Sequence, residues 1–505
     1  MEKALLIRIG WLLLLLGVAL SCVPEGIPYQ EEEPGVFHFR AVVDGKEYQP
    51  AYASETGCIV FVPGGTDLSK LVASFSGQFA SVQVNGQEQE SGVSVNDFRN
   101  YKKGLVYKVE GTDGNTLNYN VKVLDSRLPV VVVTTDTPGK INSKTTWREA
   151  GIRIQDADGS LSLAGKTEIR GRGNWTWDKY PKKPYALRLE KKLPVLGMPA
   201  HKRWVLLALF RGFIGNDLAF EATRRAPALG WAPRGRYVEL VLNGQFQGMY
   251  YLCEQIKIDK DRVNIQKLSQ EDVTYPAVSG GYLLEYDELF DEAYKFKSSG
   301  FRLSVQLKAP DEDVPDAQFQ YIRDFINQME AEILKIGTGE ESHWRDYLDE
   351  DSFADYWMVL ETVNNYEAYK PRSVKLFKGR DGVDSPPGTV CKLRAGPLWD
   401  QELFLVDHKF NSKDMYYYKY LFKDPQFVQT VKRRWATYKD NILGNDTWPG
   451  YVDYLNGVVD LIRDSAHRDT ELWSNSYFTL DGEVSTVRKG FKSKINWMDG
   501  QIQKL

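Results

Sequence analysis

Cysteine and histidine are scarce in this chain of 505 residues, with four of the first and five of the second. Cys22, Cys58, Cys253 and Cys391 are too scattered for a disulfide framework or a metal knot. Cys58, Cys253 and Cys391 read as small buried hydrophobes. His38, His201, His343, His408 and His467 form no His-x-x-x-His pair, which argues against a zinc hydrolase. No Gly-x-Ser-x-Gly elbow occurs, which argues against a serine hydrolase of that kind. The formal net charge of -4 lacks the basic excess of a general nucleic-acid binder. Beyond the N-terminus no apolar run is long enough to cross a bilayer. Apolar residues are plentiful, at 42% with 13% aromatic, so large cores are expected and global disorder is excluded. The length leaves room for two or three domains.

The N-terminus has the proportions of a targeting segment. Lys3 and Arg8 precede the apolar run Ile9–Leu20, too short to span a membrane comfortably. The run ends in Ala19-Leu20-Ser21-Cys22, similar to a bacterial lipoprotein signal in which Cys22 becomes the lipidated first residue. Leu20 fits that pattern imperfectly, and a plain secretory peptide is the alternative. Residues 1–22 therefore read as the lipoprotein signal segment, with cleavage expected just ahead of Cys22. The protein would be exported across the inner membrane and anchored by lipid to the cell envelope, at the outer membrane or cell surface. Residues 23–35, with Pro24, Pro28, Pro34 and Glu31-Glu32-Glu33, read as a flexible linker.

Residues 36–125 read as all-β. Leu105, Tyr107 and Val109 alternate, Asp113-Gly114-Asn115 turns the chain, and Leu117, Tyr119, Val121 and Val123 alternate again. Val82 and Val84 before Asn85-Gly86 predict a second hairpin. Short strands at this spacing favour an immunoglobulin-like β-sandwich, a spacer or adhesion module with no catalytic constellation. Leu128–Val133 opens a second domain, 128–505, as a buried strand. Strands dominate to Glu254, with a helix inserted over Asn216–Arg225, and strands are also expected at Gly281–Tyr286 and Phe301–Leu307. The period then changes. Phe319, Ile322, Ile326, Met329 and Ile333 predict an amphipathic helix ending at Gly337. Ser352 is the expected N-cap of the next helix. More helices are expected around Phe427–Leu443, Tyr451–His467 and Thr486–Leu505.

The most informative stretch is Arg170-Gly171-Arg172-Gly173-Asn174-Trp175-Thr176-Trp177, followed by Lys182-Lys183-Pro184-Tyr185-Ala186-Leu187-Arg188-Leu189. Alternate glycines let a backbone turn tightly and approach a ligand. The two arginines bring forked donors suited to phosphate or carboxylate. Between Lys166 and Arg203 eleven lysines and arginines face three acids, which suits an anion. A tight turn whose arginines pair with surface carboxylates is the plain alternative. Asn243-Gly244 between two β-rich runs predicts a hairpin that ends in Glu254.

These motifs, in this order and with Gly396-Pro397-Leu398-Trp399-Asp400 behind them, resemble the spore coat protein H (CotH) kinase family of atypical protein kinases. The resemblance spans Leu128 to the C-terminus. It implies a multidomain chain: an all-β sandwich followed by an α+β, protein-kinase-like domain with a helical C-terminal part. It also implies ATP with Mg²⁺ or Mn²⁺. Arg170, Arg172 and Lys183 become candidates for the nucleotide phosphates, with Glu254 as carboxylate partner of Lys183. Lys182 is the alternative, since strand phase is open. Asp400 matches the family's metal-binding aspartate. Where the family continues with a second aspartate and an aromatic-Gly pair, this chain has Glu402 and Val406. Glu367, in Asn364-Asn365-Tyr366-Glu367, stands where the family's catalytic aspartate is expected. One extra methylene there can cost on the order of 10²-fold in rate. The expected activity is phosphoryl transfer to Ser/Thr hydroxyls of an exported protein. The rival is a pseudokinase that binds a glycan or protein at the surface with its many aromatics. No nucleic-acid partner is expected.

Overall fold

A computed structural model describes residues 37–369, 371–404, 406–475 and 477–505. The signal segment, the linker and Cys22 lie outside the described residues. The first region is all-β, as its alternation predicts. Strands β1 (His38–Val43), β2 (Lys46–Tyr48), β3 (Pro50–Ser54), β4 (Gly57–Pro63) and β5 (Leu71–Ser76) come first. Then follow β6 (Ser81–Val84), β7 (Gln87–Glu88), β8 (Val95–Asn96), β9 (Leu105–Glu110) and β10 (Thr116–Ser126). They form a four-stranded sheet, β2-β1-β5-β8, and a six-stranded sheet, β3-β4-β10-β9-β6-β7. Phe39, Ala73 and Phe75 of the first sheet share one core with Val60, Tyr107, Val109 and Val121 of the second, so the sheets pack face to face. Asn85 and Gly86 both take positive φ, as the hairpin they were expected to turn requires.

Seven strands then close a barrel. They are β11 (Val130–Thr135), β12 (Arg148–Gln155), β13 (Leu161–Gly171), β14 (Tyr185–Val195), β15 (Met198–Leu207), β16 (Gly235–Leu242) and β17 (Gln245–Glu254). The parallel pairing of β11 with β16, Val131 opposite Leu240, closes the ring. Alternate side chains fill it: Ile152 and Ile154, Leu187 and Leu189, Trp204 and Leu206, Val238 and Leu240, Tyr250 and Leu252. The outer face of β15, β17 and β16 is buried as well. Val205, Leu207, Tyr237, Met249 and Tyr251 pack there against Leu218 and Phe220 of a helix. Burial on both faces is why these strands read as continuous apolar runs. The outer face of β13 and β14 stays open and carries the arginines.

The remaining elements cover that apolar flank. Helix α1 (Trp175–Lys179) is a short turn, and α2 (Gly215–Arg224) is buried on every side. Strands β18 (Tyr282–Tyr286), β19 (Lys295–Lys297), β20 (Ser304–Ala309), β21 (Val374–Lys378) and β22 (Leu393–Ala395) form a sheet in the order β19-β20-β18-β21-β22. Helices α3 (Asp316–Thr338), α4 (Glu350–Val363), α5 (Tyr418–Leu421), α6 (Pro425–Leu443), α7 (Tyr451–Trp473) and α8 (Leu480–Ile502) complete the chain. Helix α3 buries Ile322, Ile326, Met329 and Ile333 as its period predicts, but runs past Gly337 to a left-handed cap at Gly339. The cap of α4 is Asp349, not Ser352: its carboxylate accepts the Ser352 N–H, three residues inside the helix.

The sandwich is docked on the barrel. Ile59, Phe61 and Leu124 share a small core with Val130, Val132 and Val241, and Phe246 meets Phe61 and Tyr101 edge-on. A side chain at Gly244 would run into the Tyr52 ring, so the barrel's Asn-Gly turn needs its glycine for docking as well as for its φ of 71°.

Candidate functional site

The loop after β22 carries Asp400, and three contacts fix its course. Leu398 is buried, and the Trp399 ring stacks on Phe220 of α2 at 5.7 Å. The backbone of Gln401 and Glu402 lies on a glycine shelf, since a Cβ at Gly212 or Gly215 would collide with their carbonyls. The Gln401 N–H donates to the Asn216 side chain at 3.2 Å. The glycine expected at position 406 is thus supplied from other segments. Val406 itself fits against Gly490 of α8, which has no side chain in its way. Asp400 takes a φ of 64°, a strained setting for a residue with a Cβ and one that clusters at functional sites.

Glu367 sits in a short 3₁₀ turn, Glu367–Tyr369, just after α4 ends at Asn364 in a left-handed cap. Asn365 couples this turn to the Asp400 loop. Its amide donates to the Gln401 side chain at 2.7 Å, and its carbonyl oxygen accepts the Ala368 N–H at 2.9 Å. Two acid-bearing loops, 36 residues apart at this bond, are thereby held in one place. Ser373 donates to Asp400 Oδ2 at 3.3 Å from the far side of the turn.

Asp400, Glu402 and Glu367 act on one another electrostatically. Asp400 is exposed at its own surface, with protein groups close around it. Burial raises its pKa, while the Arg172 guanidinium and the Ser373 hydroxyl oppose that rise. Glu402 is pushed up to about 7 by burial and by the Asp400 charge, with Arg211 at 3.8 Å as partial counterweight. Glu367 is raised by burial and then by Asp400. Arg172 faces this group and lies 5.5 Å from the Trp399 ring.

The other predicted residues divide. Arg170 lies over Trp147 at 4.6 Å, on the open face of the barrel. The Lys183 ammonium donates to the Trp177 carbonyl of α1. The expected Lys183–Glu254 pairing is not made. Glu254 is fully buried and accepts two N–H bonds from the Arg234 guanidinium, at 2.9 and 3.0 Å, with Arg262 beyond at 3.8 Å. A carboxylate so occupied has nothing left for a nucleotide or a lysine. Lys182 is buried too, bonded to Asp469 of α7 and to the Met249 carbonyl, each at 2.6 Å. Both lysines lie in the loop between α1 and β14, and their ammonium groups are taken by the Trp177 carbonyl and by Asp469 with the Met249 carbonyl.

The charged pair that does face the cleft comes from the second sheet. Lys375 on β21 bonds Glu285 on β18, strands paired in register at those two residues, and Lys308 reaches the same carboxylate at 3.3 Å. Burial works to raise Glu285, but the two lysines hold it below the usual range, so it stays ionised. The Asp400 carboxylate feels both Lys375 and Glu285. The sequence shows Glu285 and Lys375 as ordinary surface-type residues, and only their burial inside apolar strands signals a role. Among the described residues, no three His, Cys, Asp or Glu side chains stand close enough to ligate a metal ion together.

Comparison with known proteins adds the family. No curated protein matches the chain. A solved structure of a Bacteroides thetaiotaomicron protein, provisionally described as a glycoside hydrolase, is 19% identical over 35% of this chain and 54% of its own. The chain thus spans about half the length of that solved relative, and the TM-score of 0.17 supports no conclusion about fold or activity. The family described as CotH kinase protein matches residues 169–499, from within β13 to the end of α8, and so includes Asp400, Glu402, Glu367 and Arg172. Two barrel strands, β11 and β12, lie ahead of that match. Because the match takes in well over half of its residues, this chain belongs to the CotH kinase protein family.

Proposed function

We propose that the chain is an ATP- and metal-dependent phosphoryltransferase acting on Ser/Thr hydroxyls of exported proteins, held at the cell envelope through Cys22. The observation that carries this reading is the convergence of Asp400, Glu402 and Glu367 with Arg172 in one cleft, inside the family region. Burial and then the Asp400 charge raise both Glu402 and Glu367, which marks a site short of positive charge. Their oxygens suit a hard cation. Mg²⁺ in nucleotide sites takes one or two carboxylates and fills its remaining positions with phosphate and water, so a complete protein cage is not required.

Asp400 and Glu402 would hold the metal, and Arg172 would face the phosphates it brings. The metal would neutralise charge building on the transferred group. Glu367 is placed to accept the proton of an attacking hydroxyl, its raised pKa making it a better base than an exposed glutamate. Asn365 and Gln401 keep that base and the metal aspartate in fixed relation. Lys375 and Glu285 act electrostatically on Asp400, and Lys183 and Glu254, which do not pair with each other, are given no part in this reading.

A second reading, a pseudokinase that binds a partner without transfer, draws on Glu402. A carboxyl near pH 7 in its titration is a poor metal ligand at neutral pH, and its partner Arg211 competes with a cation. One experiment separates the two. ATP with Mg²⁺ or Mn²⁺, at about a hundred times its dissociation constant, should stabilise the protein by roughly 2.7 kcal/mol and label it or an acceptor from the γ-phosphate. Label supports transfer, stabilisation without label supports a pseudokinase that still holds nucleotide, and no stabilisation at all defeats the phosphoryltransferase reading while leaving a nucleotide-free partner binder.

A further inference from the structure

The open face of the barrel carries a second charged feature that the carboxylate cleft does not use. Register places Trp147, just ahead of β12, beside Arg170 on β13, and sets Glu168, Arg188 and Arg203 in a row across β13, β14 and β15. All of them point away from the barrel core, which takes the intervening Ile169, Leu187 and Trp204. Three guanidinium groups surround the single indole, with Arg170 at 4.6 Å, Arg188 at 4.8 Å and Arg203 at 5.2 Å. A guanidinium stacked on a ring by its flat face keeps its N–H edge for another partner.

Only one of the three edges is taken. Glu168 grips Arg188 through two N–H bonds, Nε and Nη2 each to one carboxylate oxygen. Among the described residues no hydrogen bond or ion pair engages the guanidinium of Arg170 or Arg203, and Arg170 Nε is buried with no acceptor. Burial first and then the Arg188 charge lower the pKa of Arg170 and of Arg203, while the bond to Glu168 raises Arg188. Across the gap stand Glu292, Asp311 and Glu312, near enough to be felt but not bonded to the row.

We propose that this arginine row is a docking surface for an extended, acidic segment of a partner polypeptide. Glu168 shows the mode: a side-chain carboxylate meets a stacked arginine two-pronged, and Arg170 and Arg203 await the same. The row crosses three strands, about 10 Å, and Arg172, just past the end of β13 and two residues on from Arg170, interacts electrostatically with Asp400. A polypeptide lying on it would enter the carboxylate cleft. The proposal does not depend on phosphate transfer, so a chain that binds acidic peptide and transfers nothing leaves it standing.

The test is fluorescence anisotropy with the full chain and a short fluorescein-labelled peptide of alternating glutamate and glycine. The glutamate peptide should bind, more weakly as salt is raised, and its glutamine counterpart should not. Arg203→Gln should weaken binding on the order of tenfold, and Arg170→Gln with Arg203→Gln should abolish it. Arg203→Lys keeps the charge but loses the fork, and should fall between. Inorganic phosphate or ATP at the peptide's own concentration should not displace it. Equal binding of the glutamine peptide, or full binding by the folded double variant, would overturn the proposal. Displacement by phosphate would also overturn it, making the row a small-anion site.

Discussion

The sandwich and the family region are both well packed, but they treat charge in opposite ways. Between residues 37 and 125 no acidic or basic side chain is buried, among the described residues. The core there is Phe39, Val60, Tyr107, Val109 and Val121, held by the hydrophobic effect and little else. Beyond residue 127 buried ion pairs run through the interior, Lys182 with Asp469, Arg225 with Glu221 and Lys378 with Asp381, and buried Glu254 and Asp355 are met by the part-exposed Arg234 and Arg434. Buried ion pairs are a weak route to stability, because desolvation offsets most of their attraction. They do fix geometry. A region that spends stability on placing charges is one whose function depends on where charges stand, and the sandwich has no such need.

The comparison breaks most visibly at the cleft. Asp400→Asn should abolish both phosphoryl transfer and the metal-dependent part of nucleotide stabilisation. Glu367→Gln should spare nucleotide binding and lower turnover by about 10²–10⁴-fold. Glu367→Asp tests whether the longer side chain is a handicap or an adaptation, since only the first predicts a gain in rate. If Asp400→Asn leaves metal-dependent stabilisation intact, the metal is held elsewhere.

Next in size is a buried pair. Lys182→Met should cost about 3–5 kcal/mol, because Asp469 would be left buried without its cation. The double change Lys182→Met with Asp469→Leu should recover much of that loss, though the Met249 N–H, bonded to Asp469 at 2.9 Å, would lack its acceptor. Denaturant midpoints of the unaltered chain and the two variants decide. If single and double variants lose the same amount, the pair is not the source.

What the sequence made legible was local. Asn85-Gly86 and Asn243-Gly244 announced their turns, and the spacing from Phe319 to Ile333 announced α3, because each signal lies within one element. The barrel's closure was not legible, since β11 and β16 meet across more than a hundred residues and nothing in either strand names the other. The same holds for charge partners. Lys182 finds Asp469 at a separation of 287 residues, and Glu483 accepts the N–H groups of Phe213 and Ile214 ahead of α2. Motif singled out Asp400, Glu367 and Arg172 in the sequence, while Glu254, expected beside a lysine, is held by Arg234 from the neighbouring strand's start. Partner choice is a property of the folded neighbourhood, which gives Lys183 to the Trp177 carbonyl and Glu254 to Arg234.

A pH dependence follows from the same contrast. Glu402 is raised to about 7 and Glu483 to about 8, each mainly by burial. The unfolded chain ionises both near the ordinary glutamate value, so over the interval between, the folded state binds more protons. Stability of the family region should therefore fall as pH rises from about 5 to 8, by at most about 1.4 kcal/mol per pH unit for each group. Glu483→Gln should flatten the upper part of that slope, read from melting temperatures at each pH. The sandwich, followed by hydrogen exchange in β9 and β10, should be indifferent over the same range. Metal-dependent nucleotide stabilisation should rise with pH through about 7 as Glu402 ionises, and Glu402→Gln should remove that rise.

The smallest expected effect lies where the two regions meet. The first buried polar residue in the described chain is Ser126, the last residue of β10, and its hydroxyl serves the family region. It donates to Glu239 Oε1 at 3.1 Å and accepts the Leu128 N–H at 3.1 Å. Glu239 keeps Ser465 at 2.6 Å and Arg468 at 3.0 Å without it, so the loss is partial. Ser126→Ala should cost about 1 kcal/mol, the net worth of an ordinary hydrogen bond. Exchange should quicken at the Leu128 N–H while the β4–β10 ladder is unchanged. Ser81→Ala, which removes an exposed hydroxyl bonded to Glu110 at 3.2 Å, should fall within about 0.5 kcal/mol of no effect. Equal losses at the two serines would mean that the joint is no more dependent on its polar contacts than the sandwich surface, and the boundary between the two ways of handling charge would have to be drawn later than residue 126.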